Sequence, residues 1–184
     1  MKLLRFFIII FITLTTPIKA DLYKNLINQL EDGGKLIFIR HAYAPGGGDP
    51  DNFNLNDCST QRNLNEEGRE QAKNIGEFFL KNEIKIDKVL SSEWCRCKDT
   101  AEFAFKNFKT FNALNSFFSK KFQKNKQKQM KDLLNFIKKW NGKGNLILVT
   151  HYVVIFETLN LPVSSGDLVI TSKNLNLLGI VDNY

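Results

Sequence analysis

Two stretches decide the fold: Leu36-Ile37-Phe38-Ile39-Arg40-His41 and Leu146-Ile147-Leu148-Val149-Thr150-His151. Each opens with four apolar residues in a row. An unbroken run of this kind suits a strand buried on both faces, whereas a strand with one wet face alternates. Helix-period segments lie around them. Residues 21–30 carry Leu22, Leu26 and Leu30 on one stripe and end at Gly33-Gly34. Residues 66–81 put Ala72, Ile75 and Phe79 on one face, with Glu66 and Glu67 suiting the positive helix start. Lys88-Val89-Leu90 predicts a strand, and Ser91 or Ser92 would cap a helix through about Phe105. A short strand near Phe111, a helix over 120–140 closed by Asn141-Gly142-Lys143-Gly144, a helix over 152–159, and strands over 168–171 and 177–181 complete the reading. Strands alternating with helices predict an α/β three-layer sandwich, with a mostly parallel central sheet and helices on both faces.

Composition agrees with one globular domain. The chain has 184 residues, 43% hydrophobic and 24% charged, which excludes a disordered or collagen-like chain. Its two histidines and three cysteines exclude a zinc-finger array or a dense disulfide scaffold. Residues 1–20 have the layout of a secretory signal peptide: Lys2 and Arg5, then the apolar run from Phe6 to Leu14, then Ala20 at a cleavage point. An uncleaved membrane anchor is the alternative, although the run is short for a span of ~20 residues. Cleavage leaves a domain over 21–184, periplasmic or secreted, without a stable membrane span. It also removes three basic residues and no acids, so the formal charge falls from +7 to +4. So small an excess does not argue for nucleic acid as a partner. The lysine-rich stretch 120–131 fits a solvated amphipathic helix packing on the sheet.

Both histidines directly follow the buried runs. In a parallel sheet, ligands bind beyond the carboxyl ends of the strands, so His41 and His151 are expected on the functional edge. Arg40 precedes His41, and Arg96 falls in the first turn of the helix after Leu90-Ser91-Ser92, where free N–H groups favour an anion. Two guanidinium groups beside two imidazoles suit a phosphoryl group, whose oxygens need several donors at once. A long polar loop from Tyr43 to about Arg62, containing Gly46-Gly47-Gly48, follows the first histidine. Arg62 either faces the substrate from that loop or holds the loop by a salt bridge. In an exported chain one disulfide is expected, from Cys58 to Cys95 or Cys97, with three free thiols as the alternative.

Arg40-His41-Ala42 resembles the Arg-His-Gly signature of the histidine phosphatase superfamily, which includes phosphoglycerate mutases and acid phosphatases. Residues 63–72 (NLNEEGREQA) resemble that family's helix-opening segment, residues 91–101 (SSEWCRCKDTA) its second-arginine motif, and Val149-Thr150-His151 its second-histidine motif. The resemblance implies catalysis without metal or cofactor on a phosphorylated small molecule. His41 would be the nucleophile that becomes a phosphohistidine, and Arg40, Arg96 and His151 would hold the phosphoryl oxygens. It also implies a Glu or Asp general acid after the second-arginine helix, where this chain has Asn115. An amide cannot deliver a proton, so Asp57 or Glu93 would have to serve, or the substrate would need little protonation. The activity expected is that of an exported phosphomonoester phosphatase. The alternatives are a non-catalytic exported phosphate-binding protein with the same pocket and a phosphoglycerate mutase-type phosphotransferase.

Overall fold

The computed structural model describes residues 16–182 and Tyr184, with side chains from Asp21 onward. The leader expected over residues 1–20 therefore lies almost wholly outside the described residues. In chain order the elements are α1 (Thr16–Asp32), β1 (Leu36–Arg40), α2 (Glu66–Lys81), β2 (Ile86–Ser91), α3 (Cys95–Phe105) and β3 (Lys109–Thr110). After these come α4 (Lys120–Gln123), α5 (Lys126–Lys139), β4 (Asn145–Thr150), α6 (Tyr152–Leu159), β5 (Leu168–Thr171) and β6 (Leu177–Val181).

The six strands form one sheet in the order β3-β2-β4-β1-β5-β6. β1 pairs in parallel with β4, and so do β2 with β4 and β3 with β2. Only β5 runs the other way, antiparallel to both β1 and β6. The two apolar runs are thus the central pair of a mostly parallel sheet. Their side chains split by parity. Ile37, Ile39, Ile147 and Val149 pack on one face with Leu26 and Leu30 of α1, Ile75 and Phe79 of α2, and Ala101 of α3. Leu36, Phe38, Leu146 and Leu148 pack on the other with Leu133 and Ile137 of α5 and Val154 and Ile155 of α6. Because both faces are covered, neither strand can alternate.

The register sets the site. Arg40 stands opposite Thr150, and the His41 N–H donates to the Thr150 carbonyl at 2.9 Å. Both histidines therefore leave the sheet at the same height on neighbouring strands. The chain after His41 must then cross α2, and Gly68 permits it: a Cβ there would meet the Tyr43 carbonyl oxygen at 1.9 Å.

Two local expectations change. The helix expected over 120–140 is broken into α4 and α5, although no Gly or Pro marks the break. Phe122 turns inward against Phe53 and Trp94, at ring separations of 5.6 and 5.4 Å, and this packing outweighs the helical propensity of the lysines around it. Neither Ser91 nor Ser92 caps α3. Trp94 is the N-cap residue, and Ser92 is buried and turned toward His151.

Candidate active site

An open cleft of about 810 Å³ lies beyond the carboxyl ends of β1 and β4, with Arg40, His41, Arg62, Arg96 and His151 in its lining. All five residues singled out for phosphate from the sequence are brought together there. The two imidazoles meet edge to face at 5.5 Å.

Arg96 joins them. Its Nε donates to His41 Nε2 at 3.2 Å, and its Nη2 lies 3.4 Å from His151 Nδ1. Asp49 holds the other edge of the guanidinium: Oδ1 accepts from Nη1 at 2.6 Å and Oδ2 from Nη2 at 3.3 Å. Asp49 also accepts from the Arg62 backbone N–H at 3.2 Å and from Trp94 Nε1 at 3.0 Å. Although partial burial works against it, the Arg96 guanidinium holds the Asp49 carboxyl below its ordinary range. Arg40 donates to the Val163 carbonyl through Nη1 and lies over the Tyr152 ring, while its buried Nε has no partner among the described residues. Among the described residues Arg62 makes no salt bridge. It ties the loop to itself through the Ala44 and Gly48 carbonyls, and it also lines the cleft.

Both histidines are almost wholly buried, at 2% and 3% exposure. Burial first and the Arg96 charge second push both imidazoles well below the usual histidine range, with Arg62 and Arg40 adding to the effect. They are neutral near pH 7. For His41 the tautomer follows directly: Nδ1 lies 2.8 Å from the Ala42 carbonyl, which can only accept, so Nδ1 carries the hydrogen. Nε2 is left with its lone pair.

The remaining candidates lie elsewhere. Asp57 is exposed and accepts from the Ser59 N–H and hydroxyl, outside the residues lining the cleft. Asn115 and Glu93 line a neighbouring cavity of about 310 Å³, separated from the cleft by Trp94, Ser116 and Phe122, which line both. Among the described residues, the carboxylates that line the cleft itself are Asp49 and Asp51. Sequence reasoning missed Asp49. Its position directly after Gly46-Gly47-Gly48 was a signal, but nothing in the spacing names Arg96 as its partner.

The cysteines resolve into one bridge, Cys58–Cys95, with Cα atoms 5.7 Å apart. Cys97 is free and buried, and burial pushes its thiol up to about 12.

The cleft gathers two imidazoles and three guanidinium groups beyond the carboxyl ends of neighbouring strands. Residues 36–116 match the family model described as histidine phosphatase superfamily (branch 1). No curated protein matches the chain. Among solved structures, one from Agrobacterium tumefaciens assigned as the phosphohistidine phosphatase SixA is 17% identical, with a TM-score of 0.58, over 82% of this chain and 99% of that one. Phosphoglycerate mutase from Thermus thermophilus is 14% identical, with a TM-score of 0.57, over the same shares. The protein histidine phosphatase SixA complexed with tungstate is 11% identical, with a TM-score of 0.51, over 78% and 92%. Residues 36–116 are thus similar in sequence to the histidine phosphatase superfamily, and the solved structures share the fold.

Proposed function

We propose that this chain is an exported phosphomonoester phosphatase that works through a phosphohistidine on His41. The observation that carries the reading is the fixed tautomer of His41. Its Nδ1–H is held by the Ala42 carbonyl, so Nε2 carries the lone pair, which accepts from Arg96 Nε until a phosphoryl oxygen takes that donor and frees it for attack. Nε2 would attack phosphorus in line with the departing alcohol. Arg96, the free Nε of Arg40, and His151 would meet the three outer oxygens as charge spreads over them. Water would then attack the phosphohistidine and return His41 to its starting state.

The breadth of the cleft supports a substrate with a sizeable body behind the phosphate. Phe53, Trp94, Phe118, Phe122 and Tyr152 supply apolar walls, and Lys121 adds a positive charge at the rim. Export rests on the leader-like residues 1–20 and is supported by the Cys58–Cys95 bridge, which belongs to an oxidising compartment.

Rapid acid quench with a radiolabelled phosphomonoester tests the reading. Wild type should accumulate an acid-labile phosphoenzyme, and His41→Ala should form none and turn nothing over. Normal turnover in His41→Ala would overturn the assignment. Phosphate binding without turnover in wild type would leave the binding protein as the answer.

A further inference from the structure

The rim of the cleft carries a charge pattern that the phosphoryl site does not use. Residues 118–131 hold six lysines and no acid. Two of these lysines are paired: Lys126 with Glu157 of α6 at 2.8 Å, and Lys128 with Asp132 one turn along α5. Among the described residues, no carboxylate pairs with Lys120, Lys121, Lys124 or Lys131. Phe122 fixes where three of them stand. Its ring is turned inward, and helix positions two before and two after it lie about 200° around the axis, so Lys120 and Lys124 share the outer side of α4. Both are exposed, and Lys121 between them lines the cleft.

Aromatic rings stand exposed beside these charges. Phe118, two residues before Lys120, lines the cleft and is nevertheless 66% exposed. Tyr152, another residue of the lining, is exposed and stacks on the exposed ring of Phe156 at 5.7 Å. The Lys126–Glu157 pair ties the start of α5 to α6, which bears this stack, so lysines and rings border one opening. Asp51 is the exposed carboxylate in the lining. Inside, the hydroxyls of a phosphorylated sugar would be left without partners along the aromatic wall, a cost that an apolar chain does not meet.

We propose that the mouth of the cleft docks on an anionic lipid bilayer, and that the substrate is a phosphomonoester whose alcohol is a lipid lying in that bilayer. The inference rests on the phosphatase reading above. Lys120, Lys121 and Lys124 meet the negative headgroups, and Phe118 enters the boundary between headgroups and acyl chains. The terminal phosphate then reaches the arginines and histidines, with its apolar body along the aromatic wall. Water and the lipid phosphomonoester give inorganic phosphate and the lipid alcohol, which stays in the bilayer. A polynucleotide fits the site less well, because its internal phosphates are diesters and carry a second organic group where the cleft gathers donors for free oxygens. Each lysine at such a surface adds about fivefold in affinity, so the contact is brief and allows release.

The test uses processed protein, purified after secretion so that residues 1–20 play no part. Sedimentation with vesicles of phosphatidylcholine, alone or with about one-third phosphatidylglycerol, reads docking apart from chemistry, since phosphatidylglycerol is a diester. Wild type should bind the anionic vesicles and not the neutral ones, and salt should weaken the binding. Lys120→Gln/Lys124→Gln should weaken it about 25-fold, and Phe118→Ser should weaken it without altering its salt dependence. Turnover is then compared for 4-nitrophenyl phosphate in solution and dioleoyl phosphatidic acid in the same vesicles. The double lysine variant, whose altered side chains lie outside the cleft, should lose activity on the vesicle substrate in step with binding and keep the wild-type kcat/KM on the soluble one. Equal binding of neutral and anionic vesicles, no binding of either, or equal losses on both substrates would overturn the proposal. Tighter binding of a single-stranded oligonucleotide than of vesicles would overturn it in favour of nucleic acid. A higher kcat/KM on glycerol 3-phosphate than on phosphatidic acid would overturn it by placing the substrate in water. Failure of the phosphatase reading looks different: the anionic vesicles would still be bound, with neither ester hydrolysed.

Discussion

Arg96 carries more of the site than any other side chain, because each edge of its fork has a separate task. One edge, Nε and Nη2, faces the two imidazoles, and the other is gripped by Asp49. Rotating the guanidinium would cost a charge-assisted pair that is largely removed from water, with the Arg96 side chain only 4% exposed. Arg96→Ala should therefore lower turnover at least ~100-fold, in the range expected for loss of one charge-stabilising donor. Arg96→Lys should not rescue it, because an ammonium cannot hold Asp49 and face two rings at once. Asp49→Asn keeps the shape but weakens the grip, and kcat should fall by roughly 10–100-fold, the scale of a small misplacement of a reacting group. Steady-state kinetics of the three variants check this order. A wild-type rate in Asp49→Asn would mean that Arg96 is held without it. At this scale the sequence was informative about identity and silent about partners. His41, His151, Arg40 and Arg96 were legible because strand ends and a helix start have recognisable patterns. Asp49 and Ser92 reach Arg96 and His151 through contacts spanning 47 and 59 residues of chain, which no local spacing records.

Among the elements, the loop from Tyr43 to Arg62 is the one whose shape its own sequence leaves undetermined. It contains a single 3₁₀ turn (Cys58–Thr60) and is ordered by attachments at its two ends. Asp49 binds Trp94 and Arg96, Gln61 Oε1 accepts from the Cys95 N–H at 2.9 Å, and Cys58 is bridged to Cys95. All three converge on the start of α3, the turn that carries Arg96. The central strands and α2 could be read to within two residues because burial and periodicity are local. The break between α4 and α5 could not, because it depends on Phe122 meeting two aromatic rings far along the chain. The bridge closes a loop over a separation of 37 residues, and its removal should destabilise the fold by about 2–4 kcal/mol. Reduction should lower Tm and, by releasing the loop, also lower kcat below the transition. Thermal melts and initial rates with and without a dithiol reductant test both. Unchanged kinetics in fully reduced protein would show that Asp49 and Gln61 order the loop without the bridge.

At the scale of the whole molecule, two buried imidazoles make stability depend on pH over a window that can be predicted. Both are held well below the ordinary histidine range by burial and by Arg96. In the unfolded chain each takes up its proton near pH 6.5, while the native protein takes up neither until the pH is lower. The unfolded state therefore binds more protons below that point, and stability falls as the pH falls. Two such groups give a limiting slope of roughly 2.7 kcal/mol per pH unit below about pH 6. Asp49, depressed by Arg96, adds a loss of the same sign at lower pH, as its carboxylate is finally protonated in the fold. Asp99 and Asp167, raised by burial, act in the opposite sense but from the carboxylate range, so pH 5.5 to 7.5 isolates the histidines. Over that interval Tm should drop steadily on acidification, and His151→Asn should roughly halve the slope. Sulfate should flatten it as well, because an anion in the cleft favours protonated His151 and brings its folded value back toward that of the unfolded chain. A Tm independent of pH between 5.5 and 7.5 would mean that the histidines take up their protons in the fold where they do in the unfolded chain. His41 Nε2 would then lose its lone pair as the pH falls through the ordinary histidine range, so turnover should decline there, whereas imidazoles held well below that range keep it.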